Sequence, residues 1–445
     1  MSTLSETKPA TGVFTSDAFA AHLASLPAAP AWWLERKRAA YATFADLPMP
    51  KRTDESWRFS TIAGLTLDGF EVGRVVPNAP PVASPFGPAA LAFVNNAQVS
   101  TGGQPTGALP DGVIVTTLTE AAARHAPLLR EHFMAQPQQL GSEKFAALHS
   151  AFVGDGAFIY VPRGVEVTAP IVVLHAAVGA ETAVFPHTLV IAEDNAKVTV
   201  VDYFVSLDSS AQRSALGTQV RQLAVGANDL YAGHGAQLTY IGAQDWSREA
   251  LSFHLNDTIV RRDARVQSLN IHLGGKQARH ESLSQLQAPG AFSEMLALTV
   301  AEAAQEFDQR TLQIHQAPNT KSDLLYKNAL RDRSRTIFSG LIIVDPDAQK
   351  TDAYQSNRNL MLSDDAEANS LPGLEIQAND VRCTHGATTS RIDPEQEFYL
   401  QSRGIDKKAA DELLTFGFFE EVLARLASEP LHDALRTLIQ TKFKK

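Results

Sequence analysis

Cysteine is almost missing: Cys383 is the only one in 445 residues. A single thiol excludes an internal disulfide framework and fits a reducing compartment, where its meaning is packing or reactivity. Also missing is any apolar run of the ~18 residues that a membrane span needs. The first residues, MSTLSETKPATGVFTSDAF, lack the basic start and apolar run of a secretory signal. A soluble, cytoplasmic chain is expected. Basic charge is in deficit, with 39 Lys and Arg against 49 Asp and Glu and a net charge of −10. That balance disfavours nucleic acid or an anionic membrane as the main partner.

The common catalytic signatures are absent as well. Gly275-Lys276 is not a phosphate loop, because Asn270 stands where the first glycine is required and Gln277 replaces Ser or Thr. His280-Glu281 is followed by Ser284 where a zinc-protease helix needs its second histidine. No G-x-S-x-G elbow and no dinucleotide fingerprint is present. Asp364 and Asp365 are adjacent, would face opposite sides of a strand, and read as a solvated turn rather than an acid/base pair. No catalytic residue is assigned.

What is there falls into three regions. From Asp17 to about Gly69, AFAAHLASL and AWWLERKRAAYATFADL carry apolar residues at helical spacing, with breaks at Leu26-Pro27 and Leu47-Pro48. Trp57, Phe59, Ile62 and Leu65 add apolar anchors beside Glu55 and Arg58. Residues 71–90, rich in Pro, Gly and Ala, read as a linker, so 1–90 forms an N-terminal helical domain with its linker. Strands follow at LAFVN and GVIVTTL, then helices over about 118–134 and 142–151, an insertion within a 91–392 core.

From Gly156 short β-rich runs dominate, each introduced by a small or turn-forming residue and an alanine. Ala236, Ala264 and Ala291 are 28 and then 27 residues apart, inside the ~20–50 residue window of stacked repeats. Val198, Val200, Leu238 and Tyr240 alternate with Lys197, Thr199, Gln237 and Thr239. One-sided strands without intervening helices favour a β-solenoid over a βαβ sheet or a sandwich. Residues 393–445 return to helix: Asp393 is an N-cap with Pro394 at the first position and Gln396 three residues on, Gly404 is a stop, Asp406 caps a second helix and Pro430 opens a third. Leu413, Leu414, Phe416, Phe418, Phe419 and Leu423 form a rich apolar set there, available either to dock a partner or to cover the end of the solenoid.

The chemical clue is Cys383, two residues before His385. On a strand Val381, Cys383 and His385 share one face, while Arg382 and Thr384 take the other. One thiol and one imidazole cannot complete a tetrahedral site or hold a cluster, each of which wants about four ligands. Any metal role therefore needs ligands from elsewhere. Glu375 is a nearby oxygen donor, although a salt bridge is the commoner role for such a residue. His272, His280 and His315 would approach one another if rungs stack, yet dispersed histidines are more often hydrogen-bonded core or surface residues. For Cys383 alone, burial as a small hydrophobe is the default.

The block FSGLIIVDPDAQKTDAYQSNRNLMLSDDAEANSLPGLEIQANDVRCTHGATTSRIDPEQEFYLQSRGI, from Phe338 to Ile405, resembles the core signature of the SufB/SufD family of the SUF iron-sulfur cluster assembly system. HQAPNTKSDLLYKNAL from His315 and DESWRF near Trp57 resemble two further family patterns. The run Cys383-Thr384-His385-Gly386-Ala387-Thr388 is unlike that of SufB members, which typically show another residue at the cysteine position and carry further cysteines. The resemblance implies a mainly β protein, a right-handed parallel β-helix flanked by N-terminal and C-terminal α-helical domains. It implies pairing with SufB through the β-helix, binding of the SufC ATPase through the C-terminal helices, and a homodimer where SufB is absent. It further implies that His385, with Cys383 as a second candidate, stands at the SufB interface where a nascent iron-sulfur cluster forms, the chain holding none alone and acting as a non-catalytic assembly subunit. The alternatives are a scaffold that donates no ligand and a carbohydrate-active β-helix, the latter weakened by the lack of a secretion signal and of a carboxylate cluster.

Overall fold

The computed structural model describes residues 11–26, 29–76, 82–101, 109–207 and 220–443; Pro27, at one expected helix break, lies outside them. From Ala157 onward the chain winds into a parallel β-solenoid of about eight turns. Successive strands alternate between an 11-stranded and a 10-stranded sheet, so each strand pairs with the one a full turn later. The pairing is in register over whole strands: Leu251 lies on Gln277, Gln277 on Glu306, and Glu306 on Arg335. Ala236, Ala264 and Ala291 stack at the turn before successive strands of one sheet and are fully buried. A methyl side chain is what a tight repeated corner accepts, which is why the alanine spacing marks the repeat.

At its beginning the ladder changes direction. Ala97–Val99 pairs antiparallel with Leu91–Val94, and Ile114–Thr117 pairs antiparallel with Ala157–Val161. At its other end, Glu367–Ile376 and Arg382–Arg391 are the outermost strands of the two sheets, each paired on one side only.

Strand alternation holds at the start of Lys197–Leu207 and Gln237–Asp245 in the 10-stranded sheet, then gives way to burial on both faces, because helices cover both flanks. Ser16–Ala24 and Ala31–Asp46 share a single core with Leu118–Arg124, Ala126–His132 and Glu143–Phe152. This core rests on outward side chains of the 11-stranded sheet, Leu189, Ile191, Val225 and Phe253 among them. The inserted helices thus join the N-terminal ones rather than standing apart. Where one helix over about 118–134 was expected there are two, broken at His125, since Pro127 has no amide hydrogen to continue the first and suits the opening turn of the second. The linker carries a short strand, Glu71–Val72, paired with Thr182–Ala183, and then crosses to the other flank, where Phe86 meets Tyr203.

The C-terminal helices begin as their caps dictate. Asp393 accepts from the Glu395 amide ahead of Pro394–Ser402, Gly404 takes a positive φ of 85°, and Asp406 accepts from the Ala409 amide ahead of Lys407–Leu423. Lys407–Leu423 and Glu429–Phe443 do not cover the end of the solenoid. They lie along the outer face of the 10-stranded sheet, packing Phe416, Phe419, Leu423, Leu435 and Ile439 on Val201, Tyr203, Ile241, Leu269 and Leu296. Each such side chain removed from water contributes ~1.5–3 kcal/mol. No helix among the described residues is long and apolar enough to cross a membrane.

Candidate functional site

The last rung leaves its interior open. In Arg382–Arg391, Cys383 pairs in register with Ala353 and His385 with Gln355. Cys383 packs inward on Ile342, Val344, Ala348 and Ala353, so the two-residue period sends His385, Ala387 and Thr389 to the same inward face. Among the described residues no further rung lies over them. Cys383 is half-buried, and that burial pushes its thiol pKa up; at neutral pH it is a protonated, weakly nucleophilic group. His385 is exposed, and its ring has no hydrogen-bond or ionic partner among the described residues. Beneath it, Gln355 is fully buried with neither amide atom bonded, and the Asn357 amide nitrogen is unpartnered too. Gly340 makes that layer possible, since a β-carbon there would fall 2.2 Å from Gln355 Nε2.

Among the described residues, no three His, Cys, Asp or Glu side chains converge as a metal site. Glu375 is not a third ligand. It lies in register with Ile343 on the outward face, exposed, accepting from Gln377 Nε2 at 3.0 Å and making no salt bridge.

His272 and His280 do meet inside the solenoid, their ring centroids 4.0 Å apart, and His254 lies 5.1 Å from His280. Burial holds all three in the neutral form, His272 down to about 3. His315 stands apart, bonded to Thr320 and Ser322. The histidines belong to a polar file through the core that sequence reasoning missed. On one side of them His175, Thr188, Asp202, Tyr240, Asn228 and His254 are linked by hydrogen bonds. On the other, His272, Thr299, Gln309, Asn328 and Asn359 continue to Thr389 on the open rung. Its only sequence signal is polar residues recurring at equivalent positions of successive strands, and that is visible only once the register is known.

A second missed group explains DESWRF. Arg279, fully buried, reaches Asp308 at 2.5 Å and Glu281 at 2.6 Å, lies 3.9 Å from the Trp57 ring centre, and donates to the carbonyls of Ser56 and Leu140. It pins the N-terminal segment to the solenoid.

The six apolar residues singled out in the C-terminal region have divergent fates. Phe416, Phe419 and Leu423 are buried against the solenoid, so their area is already used within the chain. Phe418 and Leu414 are half-buried, the Phe418 carbonyl accepting from Lys327 Nζ, which also pairs with Glu421. Leu413 is 53% exposed, and so are Phe398 and Tyr399 on the preceding helix, at 72% and 57%, which the sequence reading did not single out. The EFYL run was the available signal.

The fold is therefore a parallel β-solenoid with covered flanks and one open end, whose last strand carries Cys383 and His385, and comparison with known proteins gives its family. The chain matches "SUF system FeS cluster assembly, SufBD core domain" over residues 175–418 and "SufBD protein N-terminal region" over residues 87–173, and it belongs to the SufBD family. It is similar to the iron-sulfur cluster assembly protein SufD of Escherichia coli, 30% identical with 86% of each chain covered. The protein of that name from Bacillus subtilis is 28% identical, covering 93% of this chain and 95% of the relative. A SufBD family protein of Synechocystis is also 28% identical, covering 92% and 91%.

Proposed function

We propose that this chain is a SufD-like, non-catalytic subunit of an iron-sulfur cluster assembly complex. Its open rung pairs with SufB, and its exposed Phe398, Tyr399 and Leu413 surface docks the SufC ATPase. The carrying observation is the imidazole of His385, which faces inward over the buried Gln355 and, among the described residues, has no partner and no rung above it. A neutral imidazole suits iron, and a site short of ligands gains the rest from the facing chain. Nascent cluster or iron is cargo here, shared with SufB. ATP-driven movement of SufC would reach the rung through Lys407–Leu423, which is fastened to the solenoid by Phe416 and Phe419 and by the Lys327–Glu421 pair.

The test is anaerobic co-purification with SufB and SufC followed by iron and sulfide analysis. His385→Ala is expected to leave the complex assembled and to lower cluster yield severalfold; an unchanged yield overturns the ligand role. One observation favours a second reading, a scaffold without ligand: Cys383 is half-buried with its thiol pKa raised. Under that reading Cys383→Ser and His385→Ala are both silent in cluster yield while the complex persists.

A further inference from the structure

We propose that the groove between residues 52–70 and the turns that open the strands of the 11-stranded sheet from Arg221 to Arg335 is a binding site for a nucleoside phosphate, a ligand with a planar ring at one end and a polyanion at the other. Two adjoining cavities of about 480 and about 690 Å³ form it, and Thr61, Ala63 and Arg335 line both. Each is of the ~300–1,000 Å³ size of small-molecule sites.

In a chain of net charge −10, this groove is basic. Arg52, Arg58, Arg221, Lys276, Arg333 and Arg335 line it, against the carboxylates Glu249 and Glu306. Both carboxylates are engaged. Glu306 accepts from the Thr61 amide at 2.9 Å, from the Thr61 hydroxyl and from Gln277 Nε2, with Arg335 at 3.5 Å. Glu249 holds Lys276 at 2.8 Å. Arg335 also meets Glu367, Arg58 meets Glu55, and Arg221 donates to the Asp68 and Gly69 carbonyls. Left over are Arg52 in one cavity and Arg333 in the other. Both are exposed and have no ion pair or side-chain hydrogen bond among the described residues. An unpaired guanidinium is matched in geometry to phosphate, which it holds by two parallel hydrogen bonds.

The ring-binding element is Phe59. It lines the same groove, is 39% exposed, and has a φ of 68°, a conformation that a bulky residue adopts only under constraint. The constraint is visible: Arg310 Nη2 holds the Arg58 carbonyl at 2.8 Å, and the Ser60 hydroxyl donates to Asp308 at 2.5 Å. Phe59, with the Arg58 guanidinium carbon 5.1 Å from its ring centre, is thus held by a backbone fixed on both sides, with little left to order when a ring stacks on its exposed part. Recognition here is by side chains, so the site carries none of the glycine-rich loop signatures whose absence the sequence establishes. It rests on neither Cys383 nor His385, nor on the pairing proposed at the terminal rung.

The test is calorimetric titration of the full chain at low salt with ADP, inorganic pyrophosphate and adenosine. ADP is expected to bind saturably and more weakly as salt rises, pyrophosphate to bind less tightly than ADP, and adenosine not to bind. Arg52→Glu and Arg333→Glu should each weaken ADP by at least about tenfold, the loss of one charge-assisted hydrogen bond. Phe59→Ala should weaken ADP and leave pyrophosphate unchanged, while the remote Lys408→Glu changes neither. Absence of saturable ADP binding, or binding undiminished by both arginine reversals, overturns the site. Equal affinities for ADP and pyrophosphate with Phe59→Ala silent overturn the nucleoside assignment.

Discussion

At the scale of single residues, the two-residue period of a strand carried most of what the sequence could say. It set Cys383 and His385 on one face, as the structure has them. It left open which face was inward, and Glu375 shows why that matters: one residue of parity separates a ligand from a solvent-facing hydrogen-bond acceptor. Arg279 was illegible for a different reason. Its partners Asp308 and Trp57 are distant in sequence, and a buried guanidinium has no pattern of its own. Replacing Arg279 with Leu strands Glu281 without its cation and leaves Asp308 with Arg310 alone, and the expected loss is about 3–5 kcal/mol of unfolding free energy by denaturant titration. A loss under about 1 kcal/mol would contradict the pinning role.

At the scale of elements, caps were the most readable signals, because Asp393, Gly404 and Asp406 act within a turn of their own position. Long-range placement was not readable. The same apolar residues that suggested a docking helix serve to bury it, and periodicity does not say against what. Deleting everything after Arg403 would therefore strip the cover from Val201, Tyr203, Ile241 and Leu296 as well as remove any docking surface. Leu413→Glu with Phe398→Glu separates the two effects, since both side chains face solvent. The pair is expected to lower SufC affinity at least about tenfold in a binding titration while leaving the melting temperature unchanged. Undiminished affinity would exclude this surface.

At the scale of the whole molecule, the solenoid was legible in Ala236, Ala264 and Ala291, whereas its polar interior was not. Asn228, Asp202 and His254 occupy inward positions where an alternating pattern is read as solvent-facing. That interior makes a pH-dependent prediction. Burial holds His22, His175 and His272 down to about 3, His315 to about 4, and His149, His254 and His280 well below their ordinary value. An unfolded histidine takes its proton near pH 6.5, so between about 6.5 and 4 the unfolded chain binds more protons and stability falls as pH drops. Asp155, Asp202 and Asp257 act oppositely, Asp202 raised by burial to about 7, but they are outnumbered. Unfolding free energy should be lower at pH 5 than at pH 7. His272→Asn should flatten the dependence by about one proton, ~1.4 kcal/mol per pH unit. Equal stability at the two pH values would contradict the neutral core.

The two ends of the ladder differ in a way that limits the size of any assembly. A parallel β-solenoid with two free ends would polymerise head to tail into a filament, each copy templating the next. Here the leading end reverses into the short antiparallel strands Ala97–Val99 and Ile114–Thr117, while among the described residues only Glu367–Ile376 and Arg382–Arg391 offer long unpaired parallel edges. Growth is possible from one end alone. If that end meets a like end the contact would be closed, and the stoichiometry along the solenoid axis would stop at two.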